Sequence, residues 1–285
     1  METDKKYKLT DECITIGDNK LYRIEALKDF ANVEKGDKGG FVESEENLSQ
    51  VGSCWIYDDA KVFGDAKVFG DAEVFENAEV YGKARVYDNA HIYGNAKVYR
   101  NAMVFKNAMV YRNAWVFGDA CVRGNAQVYG NVWLYGDAMV YGDAEVYGNA
   151  RVFENAKVYN DANIHGNAVV CGNAKVYGNA AVYSNAEIFS DATVISDSDY
   201  IIFKNWWSSG RCFTWTRSNN MWKVGCFYGT GEELIAKAYK DSELSGKEYE
   251  RVVKYVESIL KDGNTTTIVN KIKQCLLKIV KKFNL

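Results

Sequence analysis

The chain has 285 residues, a formal net charge of −3 and no proline. Charges this close to balance exclude a global basic field for nucleic acid, and no apolar run approaches the ~20 residues of a membrane span. Seven scattered cysteines, odd in number and without a Cys-x-x-Cys pair, fit free thiols in a reducing cytoplasm. The first residues carry no apolar signal segment, so the expected location is cytoplasmic.

Residues 1–57 read as an N-terminal cap. Tyr7 to Thr10 and Ile14 to Ile16 predict two short strands, Gly17-Asp-Asn a turn, and Lys20 to Leu27 a further strand. Gly36, Gly39 and Gly40 follow. They are either a phosphate cradle or turn glycines in a cap that closes an open core, and the second is expected.

From Asp59 to Val194 one six-residue phrase repeats without a slip: Asx-Ala-x-Val-(Tyr/Phe)-Gly. Of the 23 alanine slots from Ala60 to Ala192 only Val132 departs, and of the Asx slots only Lys83. No α-helix has a six-residue period, and Gly-Asx in each phrase would break one. The phrase fits a solenoid of short strands, each followed by a tight corner of residues that tolerate positive φ. Val and Ala then point into a narrow core, branched Val suiting the strand and Ala the crowded bend.

The pattern resembles the left-handed hexapeptide β-helix, in which three phrases make one triangular coil of 18 residues. The resemblance implies a mainly β fold of about seven to eight coils, stacked at roughly 4.8 Å. The lead-in pieces Gly36-Asp-Lys-Gly-Gly-Phe and Glu46-Asn-Leu-Ser-x-x-Gly resemble a bacterial and phage family of hexapeptide-repeat proteins, often labelled hypothetical or polymer-forming. Over roughly residues 7–195 that resemblance implies a fold and a phage or prophage setting, with the host cytoplasm as location. It implies no catalytic residues.

Two slots of each phrase face outward. The aromatic slot is Tyr or Phe in 19 of the 22 phrases between Phe63 and Phe189, which predicts stacked ladders at 18-residue spacing. The slot before Val runs from Lys61 to Lys97 almost wholly charged, then reads Met103, Met109, Trp115, Cys121, Gln127, Trp133 and Met139, and returns to Glu145, Arg151 and Lys157. This apolar belt is a candidate self-association surface. Its alternative is a surface covered by the protein's own C-terminal part. Arg100, Lys106 and Arg112 hold three successive corners and Arg123 replaces an aromatic, giving a candidate anion site beside the belt.

Enzymes with this kind of repeat include acyltransferases, which use a His base, and γ-class carbonic anhydrases, which need three His on zinc. The chain has two, His91 and His165, in different outward slots about four coils apart, which cannot share a metal. No loop breaks the register. Neither a metal nor a cofactor is expected, and the protein reads as non-catalytic.

Residues 198–262 predict a small α+β module. Its strands are Tyr200 to Phe203, Arg211 to Arg217 and Met221 to Tyr228, and its helices run from about Gly231 to Ser242 and Gly246 to Lys261. Trp215 and Trp222 among Arg211, Arg217 and Lys223 are candidates to stack on and charge-match a nucleotide-like anion. Thr230, before a helix N-terminus, is a candidate anion seat. The alternative for the tryptophans is a core. Residues 263–285 read as a basic amphipathic helix with Val269, Ile272, Leu276 and Ile279 on a heptad seam, suited to packing or oligomerisation.

The expectation is therefore an accessory binding protein, a dimer or trimer, that sequesters a small anionic, nucleotide-like signal of host defence or binds a host protein. The alternatives are an oligomeric scaffold and a hexapeptide acyltransferase. Duplex nucleic acid and membrane are not expected partners.

Overall fold

A computed structural model describes residues 5–261. Its body is a parallel β-solenoid with three flat faces, because each phrase contributes one short strand and the next phrase turns to the next face. From Trp55–Ile56 to Lys175–Val176 each strand pairs in register with the strand 18 residues on, as in Lys61↔Glu79 and Val62↔Val80. The backbone follows suit: Lys61 N donates to Ala78 O at 2.9 Å and Phe63 N to Val80 O at 3.0 Å. The Val and Ala slots are all buried and form one continuous core.

The longest face carries about nine rungs, from Lys38–Val42 through Lys61–Val62 to Glu187–Ile188. The sequence predicts seven to eight coils because the regular phrase begins at residue 58, whereas coiling begins at Lys38. Lys38–Val42 pairs in parallel with Lys61–Val62, and Trp55–Ile56 with Glu73–Val74. Gly39 and Gly40 belong to this first rung. A Cβ on Gly40 would stand 2.5 Å from Ala60 O, so glycine there lets two backbones approach.

Ahead of that rung, Tyr7–Ile16 and Asn19–Ala26 form an antiparallel hairpin. Tyr7–Ile16 is one strand with a bulge between Leu9 and Cys13, where two strands are predicted. The alternation of side chains is interrupted at that irregularity, which hides the continuity.

Each end of the solenoid leaves backbone groups in need of partners. At the N-terminal end, Asn47 Nδ2 donates to Gly64 O (2.8 Å) and Ala66 O (2.9 Å). At the C-terminal end, side-chain oxygens accept from the last rung on all three faces. Asp197 Oδ1 takes Ala181 N at 2.8 Å, Thr214 Oγ1 takes Glu187 N at 2.9 Å, and Ser218 Oγ takes Thr193 N at 2.7 Å.

Thr214 and Ser218 belong to the C-terminal module. It is an antiparallel sheet in the order Tyr200–Lys204, Cys212–Thr216, Met221–Val224, Phe227–Gly229. The third predicted strand is split, because Gly225 takes φ +54° and turns the chain into a tight hairpin that brings Phe227 opposite Val224. Helices α1 (Gly231–Asp241) and α2 (Glu243–Lys261) cover the sheet's far side. No helix among the described residues is long and apolar enough to cross a membrane.

Candidate functional site

The aromatic ladders form as expected, and their geometry limits what they can bind. Successive rings lie 4.7–4.9 Å apart and nearly parallel in Tyr81–Tyr99, Tyr93–Tyr111 and Tyr135–Phe153. Each ring face is occupied by the next ring, so a planar ligand meets edges. His165 is one more member, stacked on Tyr147 at 5.0 Å and Tyr183 at 5.4 Å. His91 lies on another ladder, 3.8 Å from Glu73. Arg123 fills a gap in its ladder, opposite Phe105 and 4.6 Å from the Tyr141 ring centroid.

The three basic corners do not converge. Arg100, Lys106 and Arg112 follow strands of three different faces, so one small anion cannot touch all of them. Arg100 turns over Phe117 and Arg112 over Tyr129. The apolar belt is likewise divided. Met103 and Met139 flank Cys121 on one face, and Met109 sits beside Gln127 on a second. Trp115 and Trp133 stack on the third, 5.5 Å apart and 2° from parallel. Trp133 is 45% exposed, and the module sits at the end of the solenoid away from it. Val269, Ile272, Leu276 and Ile279 lie outside the described residues.

The module carries a pocket beside the loop that follows its first strand. Asn205, itself buried, organises the loop after the first strand: its Oδ1 accepts from Ser208 N (2.9 Å) and its Nδ2 donates to the Tyr249 hydroxyl (3.2 Å). The loop, the turn at Cys226 and α1 border a solvent-open pocket of about 260 Å³, in which Arg211 and Lys237 are themselves exposed. Arg211 and Lys237 line it together with Ser208, Ser245 and Asp241. Neither cation has an acidic partner within ion-pair distance among the described residues, and Lys237 lies over the Phe227 ring at 5.5 Å. Arg211 Nη1 rests against Gly225, where an added Cβ would meet it at 3.1 Å.

Of the other sequence candidates, Trp215 and Trp222 are core residues only 1% exposed, so they are closed to a stacking ligand. Trp215 Nε1 is satisfied by Asn220 Oδ1 at 2.9 Å. A sheet this small, with one face on the helices, fills that layer with its largest apolar side chains. Lys223 is engaged in holding the module to the solenoid, 3.4 Å from Glu187 and over the Phe189 ring. Arg217 is exposed and joins the sheet through its backbone, its N donating to Asp199 O at 2.8 Å. Thr230 is no anion seat: it caps α1, accepting from Glu233 N at 3.2 Å while the Glu233 carboxylate takes Thr230 N at 2.9 Å. The capping box and the acidic first turn repel an anion there.

Arg211 is thus the candidate that reaches a cavity, and Lys237 and Asn205 are the residues sequence reasoning missed. Lys237 reads as one more exposed lysine of an amphipathic helix. No family model and no curated protein matches the chain.

Proposed function

We propose that this is a non-catalytic binding protein: a rigid capped solenoid carrying a module that holds a small anionic ligand between Arg211 and Lys237. The observation that carries this reading is the pair of cations on one cavity that have no acidic partner within ion-pair distance among the described residues. A phosphate group there is met by charge-assisted hydrogen bonds from Arg211 and a point charge from Lys237, with Ser208 and Ser245 as neutral partners. Asp241 at the same cavity leaves one net positive charge, which favours a singly or doubly charged ligand over a long polyanion. Nucleotide-like signals of host defence belong to this class, and the phage setting rests on the lead-in segment alone.

Native mass spectrometry of protein taken from cells, followed by calorimetry with inorganic phosphate and a set of mononucleotides, tests the reading. Arg211→Ala and Lys237→Ala are each expected to weaken binding about tenfold or more, the scale of one charge-assisted contact. Arg217→Ala is expected to leave it unchanged. An empty protein that binds none of these ligands ends the proposal.

A second reading, a scaffold that engages a protein through the belt, is supported by the exposure of Trp133. It requires Trp115→Ser/Trp133→Ser to change which proteins are retained in a pull-down. An acyltransferase has less support, since His165 has both ring faces occupied by tyrosines and His91 sits on an open face.

A further inference from the structure

We infer that the strand Tyr200–Lys204 is a self-pairing edge through which two copies of this chain join their C-terminal sheets. The proposal is independent of the anion cavity. The strand is the outermost of its sheet, and no described segment pairs with its free side. Its side chains are already placed. Ile201 and Phe203 pack into the module's core, while Tyr200 and Ile202 pack toward the solenoid. What is left open is main chain.

The parity of the ladder says which groups those are. Arg217 N donates to Asp199 O and Asn205 N to Arg211 O, each at 2.8 Å, so odd-numbered residues exchange hydrogen bonds with the inner strand. By the alternation of an antiparallel pair, Tyr200, Ile202 and Lys204 turn their N–H and C=O outward. Of the usual protections of an edge, the strand carries a short length and a single lysine, and lacks a bulge or a proline. The register to Cys212–Thr216 runs without a bulge, and the one charged residue is Lys204 at the strand's end.

The occupant follows from symmetry and charge. A groove of about 730 Å³ opens on the solenoid-facing side of the strand, between it and the corner Tyr183 to Asn185, with Asp197 and Lys204 both on its lining. An antiparallel second copy with its two-fold axis at Ile202 sets Tyr200 against Lys204 and Ile202 against itself. All three outward residues then oppose outward residues. A slip of one residue would set outward groups against inward ones. The same arrangement brings each Lys204 toward the other copy's Asp197. A parallel copy would place Lys204 beside Lys204. Such an isologous contact closes as a dimer and does not propagate.

Sedimentation velocity on the full chain from about 1 to 200 µM, the range in which small interfaces dissociate, with hydrogen exchange at low and high concentration, tests this. A dimer is expected whose formation slows exchange at Tyr200, Ile202 and Lys204. Lys204→Glu is expected to raise the dimer Kd about tenfold or more, Lys204→Arg to keep it, and Trp115→Ser/Trp133→Ser to leave it unchanged. Because Lys204 is exposed, its variants do not threaten folding. A monomer at every concentration overturns the proposal. So does a dimer indifferent to Lys204→Glu, or slow exchange of the three amides in a monomer, which would mean another part of the same chain lies on the edge.

Discussion

Single residues set how tightly the solenoid can be built. The inner slots hold Ala and Val almost throughout, and the rung at Val132 and Leu134 is the one place where both are enlarged. Leu134 is fully buried there, under the Trp115–Trp133 stack. Leu134→Ala removes three heavy atoms where neighbouring rungs, fixed by their ladders, cannot collapse. Urea unfolding should show a loss of about 2–5 kcal/mol. A change below about 0.5 kcal/mol would mean that this rung relaxes freely. At the corners, Asn side chains add a second ladder. Asn95 donates to Asn113 at 3.2 Å, Asn113 to Asn131 at 3.1 Å and Asn131 to Asn149 at 3.0 Å. The Asx slot therefore serves both turn conformation and coil-to-coil bonding.

At the scale of elements, the two ends are closed by related devices of opposite polarity. Ser44 and Ser196 each precede a short 3-10 turn, Glu45–Asn47 and Asp197–Asp199. Asn47 supplies amide donors to carbonyls of the solenoid. Asp199 Oδ2 accepts from Ile195 N and Ser196 N, both at 2.9 Å. The module completes this closure with Thr214. Thr214→Val keeps the shape and removes the acceptor, leaving Glu187 N–H without its partner at a cost of about 1–3 kcal/mol. Hydrogen exchange should quicken at Glu187 before it quickens in the middle coils. If Glu187 exchanges as slowly as in the parent protein, the module does not act as a cap on that face.

The whole molecule responds to pH through its tyrosine ladders. Burial is the first cause that pushes Tyr57, Tyr81 and Tyr129 up to about 12 from the ordinary 10.0, with Glu73 assisting at Tyr57 and Glu145 at Tyr129. A folded value above the unfolded one means that stability is intact below pH 10 and lost as pH rises toward 12, because the unfolded chain ionises first. The melting temperature should be flat from about pH 7 to 9 and fall steadily above 10. Absorbance titration of the native protein should show these phenols ionising late. Phenols that all ionise near 10, with no change in melting, would show that the ladders leave their hydroxyls fully solvated.

The period of six, with Ala and Val at fixed places, made the solenoid, its three-phrase coil and its aromatic ladders legible from sequence, because a repeating local geometry needs only local information. The capping box at Thr230 and Glu233 was legible for the same reason. Tertiary structure decided what depends on distant segments meeting. It sent Arg100, Lys106 and Arg112 to three separate faces, buried Trp215 and Trp222 under two helices, and started the coil at Lys38, ahead of the regular phrase. It also set Lys237 of α1 across a cavity from Arg211, 26 positions earlier, and left Tyr200–Lys204 as an open edge. Periodicity fixes which way a side chain points within its own strand. Only the tertiary packing fixes which cations share a cavity and, among the described residues, which strand is left at the edge of its sheet.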